Sequence, residues 1–283
     1  MRRSGRRQFL IASGALLVAP LAAQAQPQGR IWRVGFLLPR GRPLSIESDP
    51  VGAFLRGMRD LGYIEGRNLV IEWRFANDNA ERLQELAVEL VRTKVDVLMS
   101  GSSQAVGALR RATTTIPIVM ATSGDPVATG FGKSLARPGG NITGLANQTT
   151  ELGAKGLDLL RELLPKLSQV AVLTNPANLT RNVYLNNLLS AAQLRKIHIL
   201  QMEARTAEEI ERAFPAMTQG RAEALIVQSD ASFFGHFRKL AELAAKSRLP
   251  SVSELREYVE AGGLASYGPN IREQLRRAAA YVD

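Results

Sequence analysis

Cysteine is absent from the 283 residues, and histidine occurs only as His198 and His236. Without Cys there is no disulfide framework, no thiolate nucleophile and no Cys-based zinc site. With two histidines and no H-E-x-x-H, a zinc centre lacks a ligand set, and a Ser/His/Asp triad would have to draw on one of those two residues. Neither a G-x-S-x-G elbow nor a G-x-G-x-x-G fingerprint occurs, which removes the signals for a serine hydrolase and for a dinucleotide. Gly132-Lys133-Ser134 copies the end of a phosphate-binding loop, but Val127 stands where that motif needs its first Gly. The sequence therefore indicates no catalytic residue, no metal and no cofactor.

Long apolar runs are equally scarce. Residues 9–23 form an apolar stretch of about 15, short of the roughly 20 that a spanning helix needs. Arg2, Arg3, Arg6 and Arg7 precede it and Ala23-Gln24-Ala25 follows, the order of a cleavable signal peptide over residues 1–25. Arg6-Arg7-Gln8-Phe9-Leu10 also resembles a twin-arginine signal, with Gly5 in place of Ser or Thr and Ile11 in place of Lys, so Tat-like and Sec routes both stay open. A lipoprotein would need a Cys at its cleavage site, so no lipid anchor is expected. A free exported protein fits a compartment closed by a second membrane, the periplasm.

The formal charge of +10 invites a nucleic-acid reading. Four of those charges sit in the leader, and the remaining +6 is spread over both halves of the chain. Arg110-Arg111, Arg195-Lys196 and Arg276-Arg277 are isolated pairs on amphipathic segments, the mark of solvated helix faces rather than a phosphate track. No nucleic-acid partner is expected.

What is present is a repeating strand–helix rhythm in a chain with 45% hydrophobic residues, long enough for two domains. Apolar strands are predicted at 32–38, 68–75, 95–99, 116–121 and 141–145, separated by amphipathic helices at 51–61, 79–93 and from Ser102-Ser103 to 112. The second half repeats the pattern: helices at 152–164, 179–194, 207–218, 233–247 and 254–261, and strands at 169–173, 197–202, 224–227, 250–252 and 264–266. Continuously apolar strands between helices imply parallel sheets covered on both faces. The expected fold is α/β, two doubly wound parallel-sheet lobes joined by a hinge, with crossings near 143–148 and 264–268. The lobes are drawn as 26–145 plus 268–283 and as 146–267.

Open parallel sheets bind ligands beyond the carboxyl ends of their strands. Five polar turns occupy such ends. Ser102 and Ser103 open a helix whose free N–H groups suit a carboxylate, although Ser102 also reads as a plain N-cap. Ser123 and Gly124 can face a ligand, with Asp125 as turn or cap. Asn175 follows one strand of the second half. Asp230 follows another, placed either to receive an ammonium group or to cap a helix. Tyr267 lies near the return between lobes, to stack on a ligand or pack in the hinge. Structural or surface roles are favoured for His198, in a strand, and His236, in a helix.

Three stretches carry a family resemblance: Ile116-Pro117-Ile118-Val119, Gly124-Asp125-Pro126-Val127 and the run from Leu135 through Ala136-Arg137-Pro138-Gly139-Gly140-Asn141-Ile142-Thr143 to Gly144. With Gly62-Tyr63, Glu65-Gly66-Arg67-Asn68 and Thr174-Asn175-Pro176, they resemble the ABC transporter substrate-binding proteins associated with tryptophan or tyrosine uptake, which have the type I periplasmic binding protein fold. The resemblance implies a monomeric periplasmic receptor that closes on a small polar molecule, such as an amino acid, and presents it to an ABC permease in the inner membrane. It implies a pocket built from Ser102, Ser103, Ser123, Gly124, Asn175, Asp230 and Tyr267. A ligand-sensing receptor subunit and an exported α/β enzyme are the competing readings. Such a fold crosses between lobes a third time, whereas this chain stops at Asp283 just after Leu275, Ala279 and Val282. A further carboxyl-terminal segment is expected on that ground.

Overall fold

Strand Trp32–Leu38 (β1) runs buried from its third residue onward and lies between two parallel neighbours, Leu69–Phe75 (β2) and Val97–Ser100 (β3). These coordinates are a computed structural model describing residues 30–134, 139–147 and 149–283. The expected leader, the stretch from Leu135 to Pro138, and Gln148 lie outside the described residues. Ile118–Ser123 (β4) and Ile142–Ala146 (β5) complete the first sheet in the order β2-β1-β3-β4-β5, all pairs parallel. Helices Gly52–Asp60 (α1), Ala80–Arg92 (α2) and Ser103–Ala112 (α3) make the crossovers.

The second lobe uses Leu152–Leu163 (α4), Gln169–Thr174 (β6), Arg181–Arg195 (α5), His198–Glu203 (β7), Ala207–Gln219 (α6), Ala224–Val227 (β8), Phe237–Lys246 (α7), Ser251–Ser253 (β9), Arg256–Glu260 (α8) and Ala265–Ser266 (β10). Its sheet runs β10-β9-β8-β6-β7, again parallel. Counted within its own lobe, each sheet has the order 2-1-3-4-5. In that order the chain reverses direction between the first and third strands, and the crevice at their carboxyl ends is the expected ligand position. The expected two-lobed, doubly wound fold is thus the observed one.

Caps explain where several helices begin. The side chains of Asn79, Thr206 and Asn270 accept hydrogen bonds from the backbone N–H groups of Arg82, Glu209 and Glu273. One helix differs from expectation. The segment 233–247 is not a single α-helix: Ala231–His236 is a 3-10 turn capped by Asp230, and α7 starts only at Phe237. Asp230 Oδ1 holds Ser232 N at 2.9 Å and tightens the entry, and Gly235 is a poor helix former at the junction. His236 consequently sits in that turn, with Nε2 3.6 Å from Asp78 Oδ2.

Helix Ile271–Val282 (α9) follows β10 and packs on α1 in the first lobe. One buried apolar cluster takes residues from both lobes, among them Phe36, Phe54, Phe233, Tyr258, Ile271 and Leu275. Among the described residues, no helix is long and apolar enough to cross a membrane.

Candidate functional site

The carboxyl ends of both sheets border one cavity of about 80 Å³. From the first lobe it is lined by the ends of β1 (Phe36, Leu38, Arg40), β3 (Ser100 to Gln104) and β4 (Thr122, Gly124), and from the second by Asn178, Thr180, Ser229, Asp230 and Phe234. It therefore meets the chain-reversal point in the first sheet and the turns after β6 and β8 in the second.

The polar wall is built around α3. Ser102 is its N-cap, with Oγ 3.5 Å from Ala105 N, and the same hydroxyl donates to Gln104 Oε1 at 2.5 Å. Ser103 Oγ meets Ser123 Oγ at 3.0 Å and accepts from Gly124 N at 3.2 Å. This joins the ends of β3 and β4. The first N–H groups of a helix carry partial positive charge and suit an anionic oxygen.

Opposite stands Asp230, 3% exposed. Its Oδ1 accepts from Asn175 Nδ2 (2.9 Å) and Ser232 N (2.9 Å), and its Oδ2 from Gln104 Nε2 (2.9 Å) and Asn178 Nδ2 (2.8 Å). Burial raises the carboxyl's pKa while the four donors oppose that shift. Behind this turn, Glu254 accepts from Ser229 N at 2.5 Å and from Tyr184 Oη at 2.8 Å. Burial outweighs both bonds and raises Glu254 to about 7. The apolar part of the lining is Phe36, Leu38, Pro50, Val51, Phe234 and Ile271.

Of the residues singled out by sequence, Ser102, Ser103, Gly124 and Asp230 line this cavity together. Ser123 and Asn175 are buried one layer behind, each hydrogen-bonded to a lining residue. Tyr267 is not brought to them: it is 50% exposed and lines two other grooves near the return to α9. Its backbone N–H is held by Ser253 O at 3.0 Å. Asp125 is a turn cap, with Oδ1 taking Val127 N and Ala128 N. Sequence reasoning missed Gln104, Arg40, Asn178, Thr180 and Glu254. Arg40 and Asn178 carried a readable signal, since each lies in a turn directly after an apolar strand. Among the described residues, no cluster of three or more His, Cys, Asp or Glu is placed to hold a metal.

Comparison with known proteins bears on the family and the fold. A family model described as "ABC transporter substrate binding protein" matches residues 47–283. A tyrosine-binding protein of Clostridioides difficile is 26% identical over 215 residues, covering 76% of this chain and 61% of the relative, so the chain spans less than two thirds of that protein's length. A conserved domain protein of Vibrio cholerae O1 biovar El Tor has the same fold (TM-score 0.79, 25% identity, 89% of this chain and 83% of that one). So does an ABC domain from Streptococcus pneumoniae solved in complex with L-Trp (TM-score 0.79, 20% identity, 89% and 83%).

Proposed function

The chain belongs to the ABC transporter substrate-binding protein family, and from that premise we propose that it is the solute-receiving component of an ABC importer, taking an amino acid with an apolar or aromatic side chain between its lobes. The observation that carries this reading is that one cavity combines two kinds of lining: the start of α3 with the buried carboxylate of Asp230, and the apolar side chains of Phe36, Val51, Phe234 and Ile271. A zwitterionic head matches the first lining and a hydrophobic body the second.

In this reading Ser102, Ser103 and Gly124 receive the ligand carboxylate and Asp230 its ammonium group. Ser123 and Asn175 hold those residues in place from behind. Tyr267 has no ligand contact in this conformation. The moving bodies are 26–145 plus 268–283 and 146–267, pivoting at the two crossings, and ligand contacts to both favour closure. The protein works as a monomer in the periplasm after removal of residues 1–25, hands its ligand to an inner-membrane permease, and carries out no chemistry on it. Its family is one of substrate-binding proteins rather than enzymes.

The test is a thermal-shift panel of amino acids, sugars and purines, because a ligand that binds only the folded state raises its melting temperature. A shift with apolar or aromatic amino acids, and recovery of the ligand unchanged, is the expected result. A shift with sugars or purines alone overturns the ligand class, and conversion of the ligand overturns the binding role.

A further inference from the structure

His236, in the second lobe, meets an acid of the first. Its Nε2 lies 3.6 Å from Asp78 Oδ2, and the two side chains are 23% and 18% exposed. That spacing suits an ion pair but is too long for a hydrogen bond, and Asp78 Oδ1 is buried with no hydrogen-bond partner. The backbone fixes the acid in this position. Asn77 and Asp78 both have positive φ (51° and 60°), Asn77 N donates to Arg40 O at 3.3 Å, and Asp78 N donates to Pro39 O at 2.6 Å. Asn and Asp are the non-glycine residues that best tolerate this left-handed conformation. A carboxylate short of donors is thus held at the lobe boundary, facing an imidazole that can supply one.

Each partner is also tied to the cavity. Pro39 and Arg40 line it from the first lobe; Ala231 and Phe234 of the turn that carries His236, with its cap Asp230, line it from the second. Parting the lobes therefore separates Asp78 from His236. The other charges near His236 stay with its own lobe or are already paired. Glu208 opens α6, where the Thr206 hydroxyl and its own backbone N–H hold its carboxyl below the usual range, with smaller contributions from Arg212 and His236. Lys239 pairs with Glu211, and Arg40 with Asp49. Histidine is the side chain whose ordinary titration lies roughly between pH 5 and 8. Protonation is therefore the available source of attraction across this contact.

We propose that His236 and Asp78 form a proton-dependent latch between the lobes, in which a charged imidazole draws in the Asp78 carboxylate and favours the closed form, and loss of the proton to solvent releases it. Opening leaves His236 with Glu208 as its acidic neighbour, so the attraction lost is the one between lobes. Because closure stabilises the charged imidazole, it takes up protons, and by linkage a lower pH shifts the population towards the closed form. The latch does not depend on which ligand the cleft receives. Glu254, by contrast, contacts Tyr184 and Ser229 within its own lobe, so its protonation does not act on the contact between lobes.

Single-molecule energy transfer on the ligand-free protein tests this. The chain has no cysteine, so dyes placed on Glu85→Cys in α2 and Ala216→Cys in α6, both exposed positions, report the distance between lobes. From about pH 8 to about pH 5.5 the ratio of closed to open molecules is expected to rise by about two- to five-fold, the range for a partly exposed ion pair. Asp78→Asn, which keeps a residue suited to the left-handed backbone, and His236→Gln should each abolish that rise, and combining them should have no further effect. A ratio that does not move with pH, or that falls as pH falls, overturns the latch. So does a rise that survives in either variant, because the proton then belongs to another group.

Discussion

Gln104 Nε2 donates to Asp230 Oδ2 at 2.9 Å, and the two residues belong to different lobes. Gln104 Oε1 in turn accepts from the Ser102 hydroxyl, so one hydrogen-bonded line runs from the N-cap of α3 to the carboxylate facing it. All four strong acceptor directions of Asp230 are filled by protein donors. Three of them, from Asn175, Asn178 and Ser232, come from its own lobe, and only the Gln104 bond breaks when the lobes part. Under the proposed function, Gln104 occupies the donor position that a ligand ammonium group would take, so ligand entry would exchange one donor for another.

Removing the carboxylate should affect fold and binding together. Asp230→Ala leaves the buried Asn175 amide and the Ser232 N–H without an acceptor, whereas Asn178 Nδ2 keeps Ser229 O, and at about 1–3 kcal/mol for an unsatisfied buried group a loss on the order of 3 kcal/mol is expected in denaturant unfolding. Gln104→Ala removes only the contact between lobes. It should unfold within about 1 kcal/mol of the wild type, while small-angle scattering of the ligand-free protein shows a larger radius of gyration. An unchanged radius would mean that this bond does not hold the lobes together.

Glu254 gives stability a pH dependence with a definite sign. Its carboxyl is raised from 4.5 to about 7 by burial, so the folded state holds a proton that the unfolded state has released. The contribution is fully present below pH 4.5 and is lost as pH rises through 7. At 1.36 kcal/mol per pKa unit, the loss is about 3 kcal/mol. Melting temperatures of the wild type and Glu254→Gln, measured from pH 4 to 8, should diverge over this window, the variant staying flatter. Parallel profiles would remove Glu254 as the source. The same residue fixes Ser229 N beside Asp230, so the upper part of the window should also change ligand affinity.

Gly57 reports on where α9 belongs. A Cβ at this position would run into the backbone carbonyl of Arg276 and lie 2.9 Å from Ala279 Cβ. Gly57→Val should force α1 and α9 apart at about 1–3 kcal/mol, the usual range for overpacking. If α9 docks with the first lobe as proposed, hydrogen exchange should quicken in α9 and α1 and leave β6 to β8 unchanged.

The sheets were legible because a parallel strand buried on both faces is an uninterrupted apolar run, as in Phe36-Leu37-Leu38 or Val170-Ala171-Val172-Leu173. The 3-10 turn at Ala231–His236 was not, since its cause is the Asp230 cap and Gly235 acting against an otherwise helical apolar spacing. Ser102, Gly124 and Asp230 could be named because strand ends bearing small polar residues are ligand positions in open sheets. Arg40 obeys the same rule after β1, but its partners Asp49 and Phe234 lie 9 residues and a whole lobe away. Glu254 was invisible for a different reason. A glutamate at a strand end is ordinarily solvated, and only its pairing with Tyr184, 70 residues distant in sequence, shows that it is buried.

Gly124 and Thr180 meet across the two lobes at the cleft. A Cβ at Gly124 would lie 2.6 Å from Thr180 Cγ2. The Thr180 side chain has little freedom to yield, because its hydroxyl is fixed to Asn178 Oδ1 at 2.8 Å, and Asn178 is itself bound to Asp230. Gly124→Ala should therefore act as a wedge that disfavours the closed form while leaving each lobe's own packing intact. Ligand affinity is expected to fall by about ten-fold or more, the lower end of a 1–3 kcal/mol steric cost, with thermal stability of the empty protein little changed. Thr180→Ser removes the colliding methyl and keeps the hydroxyl. The pair Gly124→Ala with Thr180→Ser should then recover most of the lost affinity, and the coupling energy of the double-mutant cycle measures the contact between lobes directly. Additive effects, with no recovery in the double variant, would show that these residues do not meet when the ligand is bound.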